Sequence, residues 1–147
     1  MPPRGPETDP KRAIAGVSDL AGLGGEPGIR RWVDRFYDQV PADPLLAPLF
    51  PPDLTASRDK QAAFFVEFFG GPPLYTQQHG PAFLRFKHRK AKIGVPERDA
   101  WMRLMLSSLR EQGADEDLIA RVKERLDPVA THMINYHPEQ KDAYYFN

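Results

Sequence analysis

Four side chains carry the chemistry this sequence offers. One is His88, set in the cationic run "RFKHRK"; the others are Tyr37, Gln61 and Trp101, each a hydrogen-bonding group on a helix face that is otherwise apolar. A neutral imidazole is the commonest protein donor to a metal, and its second ring nitrogen can be oriented by a carbonyl one turn earlier, here near Leu84. No other histidine or carboxylate stands three or four residues from His88, so an ion held there takes its remaining ligands from elsewhere. The competing readings are a core histidine with both nitrogens satisfied, and one member of a solvated face built from Arg85, Lys87, Arg89, Lys90 and Lys92. Tyr37 and Trp101 as ordinary core residues would satisfy OH and NH against backbone carbonyls. Gln61 is harder to place, since an amide between Ser57 and Phe64 has four hydrogen bonds to make; its plain alternative is a half-exposed helix edge.

The elements that must position these groups are helical. From Arg30, the residues Val33, Phe36, Tyr37 and Val40 recur at helical spacing up to Pro41. The prolines of "ADPLLAPLFPPDLT" allow only short helical turns around Phe50, and Thr55 offers an N-cap for a helix over 57–69 that carries Ser57, Gln61, Phe64, Phe65 and Phe68 on one face. "GGPP" ends it, and "LYTQQHG" reads as loop. Pro81 suits the first turn of a short helix bearing His88, and Gly94 with Pro96 separates that helix from one lined by Trp101, Leu104, Met105 and Ser108. A last helix is expected from about Asp115 to Asn135, with Leu118, Val122, Leu126, Val129 and Met133 as its inner stripe and a possible kink at Pro128. No stretch shows sustained period-2 alternation and no repeat is found, so the class is all-α.

Composition narrows the functions. The 147 residues fit one domain, and 20 Lys+Arg against 20 Asp+Glu give a formal net charge of +0, which removes a global field toward nucleic acid or anionic membrane. The absence of cysteine excludes disulfides, zinc–thiolate sites, iron–sulfur ligation and thioether-bound or thiolate-ligated haem. "MPPRGPETDPKRA" has no signal-peptide core and no later run approaches the roughly 20 apolar residues of a membrane span, so the expected location is cytoplasmic. The Pro-rich polar start, to about residue 11, is expected to be mobile.

A lone histidine with cations around it suits haem, which supplies four ligands of its own. Arg85, Lys87 and Lys60 would then pair with the propionates while the Phe-rich helix covers the porphyrin. Binding of phosphate or of an acidic protein is the competing use of the same cations, and it leaves Tyr37, Gln61 and Trp101 unexplained.

At this point the motifs resemble a family. "FYDQV", "DPLLAPLFPPDLT", "GGPPLYTQQHG", "LRFKH", "ERDAWMRLM" and "THMIN" stand in the order and near the spacing of a group II truncated haemoglobin, over about residues 30–135. The resemblance implies a shortened globin fold, a two-over-two α-helical sandwich around a single haem b (iron protoporphyrin IX). The implied organisation is a partly disordered N-terminal extension at 1–25, a truncated globin domain at 26–136 and a tail at 137–147. It implies His88 as the proximal iron ligand, Tyr37, Gln61 and Trp101 as a distal cage, Ser57 where many globins have a distal histidine, and Phe50 packed on the porphyrin. Lys60, Tyr75, Arg85 and Lys87 are similar in position to propionate-holding groups; Phe64, Leu84, Ile93 and Met105 complete the expected cofactor contacts. Two departures stand out: "HRKAKI" replaces the family's "HxPF" after the histidine, leaving Ile93 as the apolar proximal contact, and Phe50 replaces a corner tyrosine found in some members.

Such a site implies binding of dioxygen, nitric oxide or other small ligands, with an unidentified reductase, no nucleic acid or membrane partner, and a monomer or homodimer. Each charge-assisted hydrogen bond from the distal donors is worth roughly 1.5–3 kcal/mol, enough for two to slow ligand release by about two orders of magnitude. That suits oxygen or nitric oxide chemistry, including nitric oxide dioxygenation, or scavenging and sensing, better than shuttling. The alternatives are a peroxidase-like enzyme drawing electrons through surface aromatics such as Tyr75, Tyr144 or Tyr145, and a haem-free module that docks an acidic partner on residues 85–92.

Overall fold

The computed structural model describes residues 19–139. Six helices, numbered here in chain order, carry the fold: α1 (Gly25–Gln39), α2 (Thr55–Phe68), α3 (Leu74–His79), α4 (Leu84–Lys87), α5 (Val95–Glu111) and α6 (Glu116–His132). Short 3₁₀ turns at Val40–Ala42 and Ala47–Leu49 bridge α1 to α2, and no strand occurs among the described residues. The long helices pack as two pairs, α1 with α2 and α5 with α6, and α1 also packs on α5. No helix among the described residues is long and apolar enough to cross a membrane.

The apolar face of α1 (Ile29, Trp32, Val33, Phe36, Tyr37) is buried because helical spacing stacks it on one side. The helix begins earlier than Arg30, at Gly25. Residues 19–24, assigned above to an extension, are packed: residues 19–22 are helical, Leu23 is in the core, and the buried Asp19 takes a 2.9 Å hydrogen bond from Arg121. Periodicity does not reveal this turn because "GLGGEPG" has few side chains to report it. Gly28 lets the entering chain cross closely, since a Cβ there would stand 1.9 Å from the Leu23 carbonyl oxygen. The readings of residues 1–18 as an extension and 140–147 as a tail lie outside the described residues.

Four local expectations are corrected. Thr55 is the first residue of α2 rather than its cap: the Asp53 carboxylate accepts from the Thr55 N–H at 3.0 Å and turns the chain one residue sooner. The "LYTQQH" stretch is helix α3, not loop, because Glu67 on α2 reaches across to accept from Thr76 N–H and Oγ1 at 2.9 and 2.6 Å, a cap supplied by another element. Pro81 lies outside α4, which starts at Leu84, and His88 follows its last turn. Helix α6 stops at His132, because Asn135 turns its backbone N–H to the Ile93 carbonyl instead of continuing the helix. The double-glycine stop after α2 is borne out as a Schellman closure, Gly71 N–H to Val66 O at 2.8 Å and Gly70 N–H to Glu67 O at 3.2 Å.

Trp32, Phe65 and Phe69 form the centre of the packed core, with Trp32 stacked on Phe65 at 4.8 Å between ring centroids. Met105 belongs to this core and is fully buried; its carbonyl accepts the Trp32 indole N–H at 2.9 Å.

Candidate functional site

On the other side of Phe65 the helices do not close. They surround a cavity of about 690 Å³, within the size range of ligand and cofactor sites and lined mainly by apolar side chains. Tyr37 from α1, Ser57, Lys60, Gln61 and Phe64 from α2, and Trp101 from α5 all line it, and so do Phe50 from the proline-rich corner and Tyr75 from α3. Leu84, Lys87, His88 and Ile93 contribute from α4 and the segment after it. Twelve of the residues singled out from sequence are thus brought to one space. Arg85 and Met105 are not. Arg85 is turned away, donating to the carbonyls of His132 and Ile134 at 2.7 and 3.2 Å, where it satisfies the frayed C-terminus of α6; Met105 is one turn too deep in the core.

The His88 imidazole is oriented as its spacing suggested: Nδ1 lies 2.7 Å from the Leu84 carbonyl oxygen. A carbonyl only accepts, so in the neutral ring Nδ1 carries the proton and Nε2 keeps its lone pair. The loop that follows is held from behind by Asn135, a buried residue absent from the sequence-level candidates. Its amide donates to the Ala91 carbonyl at 2.8 Å, its side-chain oxygen accepts from the Ile93 N–H at 2.9 Å, and its own N–H donates to the Ile93 carbonyl at 2.8 Å. An Asn just past a helix reads in sequence as an ordinary stop, with nothing to announce a clamp on a loop 42 residues upstream.

Tyr37, Gln61 and Trp101 share a second property. None makes a side-chain hydrogen bond among the described residues, although Tyr37 is only 3% exposed. Burial drives the Tyr37 phenol well above its ordinary pKa of 10.0, opposed only in part by the charge of Arg58, so its oxygen stays protonated and able to donate. Its ring meets Phe50 edge-to-face at 5.5 Å, and Trp101 meets Phe36 and Phe65 at 6.2 and 6.5 Å. Tyr37 is buried while Gln61 and Trp101 are half-buried, and all three line the cavity, where their polar atoms are open to a ligand or water. Lys87 Nζ donates to Tyr75 OH at 2.8 Å and to the Pro81 carbonyl at 3.1 Å, while Tyr75 packs edge-to-face on Phe64. Tyr75 is 5% exposed, so it is not the surface aromatic of the peroxidase alternative.

Sequence reasoning missed part of the wall. Leu46 and Leu49, His79, Leu126, Val129 and Ala130 of α6, and Met133 just past it also line the cavity. Several belong to the stripe expected to be core, and apolar periodicity cannot separate a wall facing a neighbour from a wall facing a hollow.

An imidazole oriented by a carbonyl, a cavity lined mainly by apolar side chains, and Lys60 and Lys87 among its lining form a donor set that fits haem. No cluster of three or more His, Cys, Asp or Glu able to cage a metal exists among the described residues. The family described as bacterial-like globin matches residues 20–135. The chain belongs to the bacterial-like globins, in their group II truncated haemoglobin branch. It is 39% identical over 111 residues to the group 2 truncated haemoglobin YjbI of Bacillus subtilis, an alignment covering 76% of this chain and 84% of the relative. The solved group II truncated haemoglobin of Bacillus anthracis superposes with a TM-score of 0.77 at 38% identity, over 80% of this chain and 90% of that one. The truncated oxygen-avid haemoglobin of Bacillus subtilis gives 0.75 at 37%, over 80% and 98%. As a globin, the protein is of the haem-binding type that takes small ligands, and the all-α two-over-two architecture is that of its relatives.

Proposed function

We propose that this globin holds one haem b through His88 Nε2 and binds dioxygen or nitric oxide in the pocket edged by Tyr37, Ser57, Gln61 and Trp101. The observation that carries the reading is the pairing, in one cavity, of an imidazole fixed by the Leu84 carbonyl with three polar groups that have no hydrogen-bond partner among the described residues. When bound, the haem supplies an iron that reversibly ligates small diatomics. Tyr37 and Trp101 then donate to negative charge on the ligand and Gln61 donates or accepts, while Phe50, Phe64 and Ile93 keep water out. Lys60, Lys87 and Tyr75 hold the propionates.

Two donors in a water-poor pocket slow release, which favours oxygen or nitric oxide chemistry, scavenging or sensing over carriage. The structural neighbour from Bacillus subtilis is itself oxygen-avid. A separate cytoplasmic reductase would keep that iron ferrous. A peroxidase role is disfavoured because His88 is oriented by a carbonyl and not by a carboxylate, which would make it more electron-rich.

Absorption spectra of the purified protein, ferric, reduced and oxygenated, test the reading for wild type and His88→Ala. Haem bands that shift with oxygen in the wild type and change coordination in the variant are expected; a colourless wild type that takes up no added haem ends it.

A further inference from the structure

Residues 83–95 have two faces. The inner one, with Leu84, His88 and Ile93, lines the cavity. The outer one displays Phe83, Phe86 and Val95 at 68, 51 and 53% exposure, three of the four large apolar residues left exposed among the described residues. Around them stand the exposed Lys90 and Lys92, and no Asp or Glu occurs anywhere from residue 68 to residue 96. Neither lysine forms an ion pair among the described residues, whereas arginines 30, 58, 98, 110 and 121 all do. Phe83 also has a left-handed backbone, φ 40 and ψ 51, the one non-glycine residue with positive φ among those described. A bulky residue is disfavoured there, and this one gains no burial in exchange. Strain held at an exposed apolar side chain is a mark of a working surface.

We propose that this outer face docks an acidic one-electron carrier protein, an inference that rests on the haem reading above. An apolar centre rimmed by cations that have no carboxylate partner among the described residues, Lys92 resting on the Tyr136 ring at 4.1 Å, complements a carrier whose own apolar contact patch is rimmed by carboxylates. Because the whole chain has a formal net charge of +0, the cations here are balanced by an acidic excess elsewhere, and the resulting dipole steers an acidic partner to this side. One turn of helix, about 10–12 Å thick with its side chains, separates the face from the cavity, short enough for an electron to cross. The step moves one electron, lost by the partner's reduced flavin and gained by ferric haem iron. A second copy of this chain is a poor occupant, since a two-fold contact would set these cations against themselves.

The test titrates the haem-loaded protein with flavodoxin, a small acidic flavin protein, by calorimetry at rising salt. Expected are wild-type binding that weakens with salt, about tenfold weaker binding for Lys90→Glu/Lys92→Glu with unchanged haem bands, and several-fold weaker binding for Phe83→Ser with the salt dependence retained. Variants that bind like wild type overturn the proposal, as does a wild type that binds no flavodoxin at low salt. Binding to phosphatidylglycerol vesicles in place of flavodoxin, lost in the same variants, also overturns it and reassigns the face to a membrane. A wild type without haem bands is a different failure, that of the functional reading, and shows before any titration.

Discussion

The two tryptophans of the chain both contact one ring, that of Phe65. Trp32 stacks on Phe65 at 4.8 Å, is fully buried, and gives its N–H to the Met105 carbonyl; Trp101 meets the same Phe65 edge-to-face at 6.5 Å, is half-buried, and gives its N–H to nothing among the described residues. Both sit on apolar helix faces, and periodicity treats them alike. The difference is the second helix pair: α5 closes on α1 at Trp32, whereas at Trp101 the wall opposite is the displaced segment carrying His88. A satisfied indole builds stability; an unsatisfied one facing a hollow is available to a ligand.

The sharpest way to break this comparison is to remove each ring. Trp32→Ala should cost about 3–5 kcal/mol of stability, the range for a large aromatic deleted from a closed core, with the indole's hydrogen bond to the Met105 carbonyl lost as well. Trp101→Ala should cost only about 1–2 kcal/mol, because it enlarges a space that already exists. Urea unfolding of the two variants measures both, and equal losses would erase the distinction.

Asn135 tests the segment that keeps the hollow open. Asn135→Leu removes the side-chain bonds to Ala91 and Ile93 and leaves a buried N–H and a carbonyl unpaired, an expected loss of about 1–3 kcal/mol. If the clamp positions His88, the variant also alters the iron–histidine stretching band in the ferrous Raman spectrum; a purely structural role moves the unfolding midpoint alone.

Much of this was readable in the residues. Helices α1, α2, α5 and α6 follow from apolar spacing; Tyr37, Gln61 and Trp101 stand out because polar tips on apolar faces need partners, and His88 as a lone imidazole in a run of cations. What escaped was decided at a distance. Helix α3 depends on a carboxylate from α2, α6 ends where Asn135 finds Ile93, and Arg85, expected at the cavity, is claimed by two carbonyls at the C-terminal end of α6. A cation's charge is visible in sequence, but the direction of its side chain is set by whichever unpaired carbonyl tertiary structure brings near.

The hollow half is sharpened by a conservative change. Trp101→Phe keeps the ring contacts with Phe36 and Phe65 and deletes the donor, so oxygen dissociation should accelerate about ten- to a hundredfold, matching the roughly 1.5–3 kcal/mol of one charge-assisted hydrogen bond. Stability should move by less than about 1 kcal/mol. An unchanged dissociation rate in stopped-flow displacement would remove Trp101 from the set of donors.

The smallest expected effect is a pH dependence that belongs to Tyr37 alone. Burial holds its phenol neutral in the folded protein, with its pKa raised above the ordinary 10.0 that governs the unfolded chain. Below pH 10 both states keep the proton and the group adds no slope. Above it the unfolded chain releases the proton while the folded one retains it, so the unfolded state binds fewer protons and stability falls as pH rises. Tyr37→Phe should therefore flatten the alkaline limb of the stability curve between about pH 10 and 11.5 relative to wild type. Over the same interval wild-type oxygen dissociation should not accelerate, because the donor in the pocket is still protonated. A dissociation rate that climbs through pH 10 would mean that the cavity solvates Tyr37 well enough to ionise it, and the contrast between an apolar-walled hollow and a packed core would then be one of shape and no longer one of polarity.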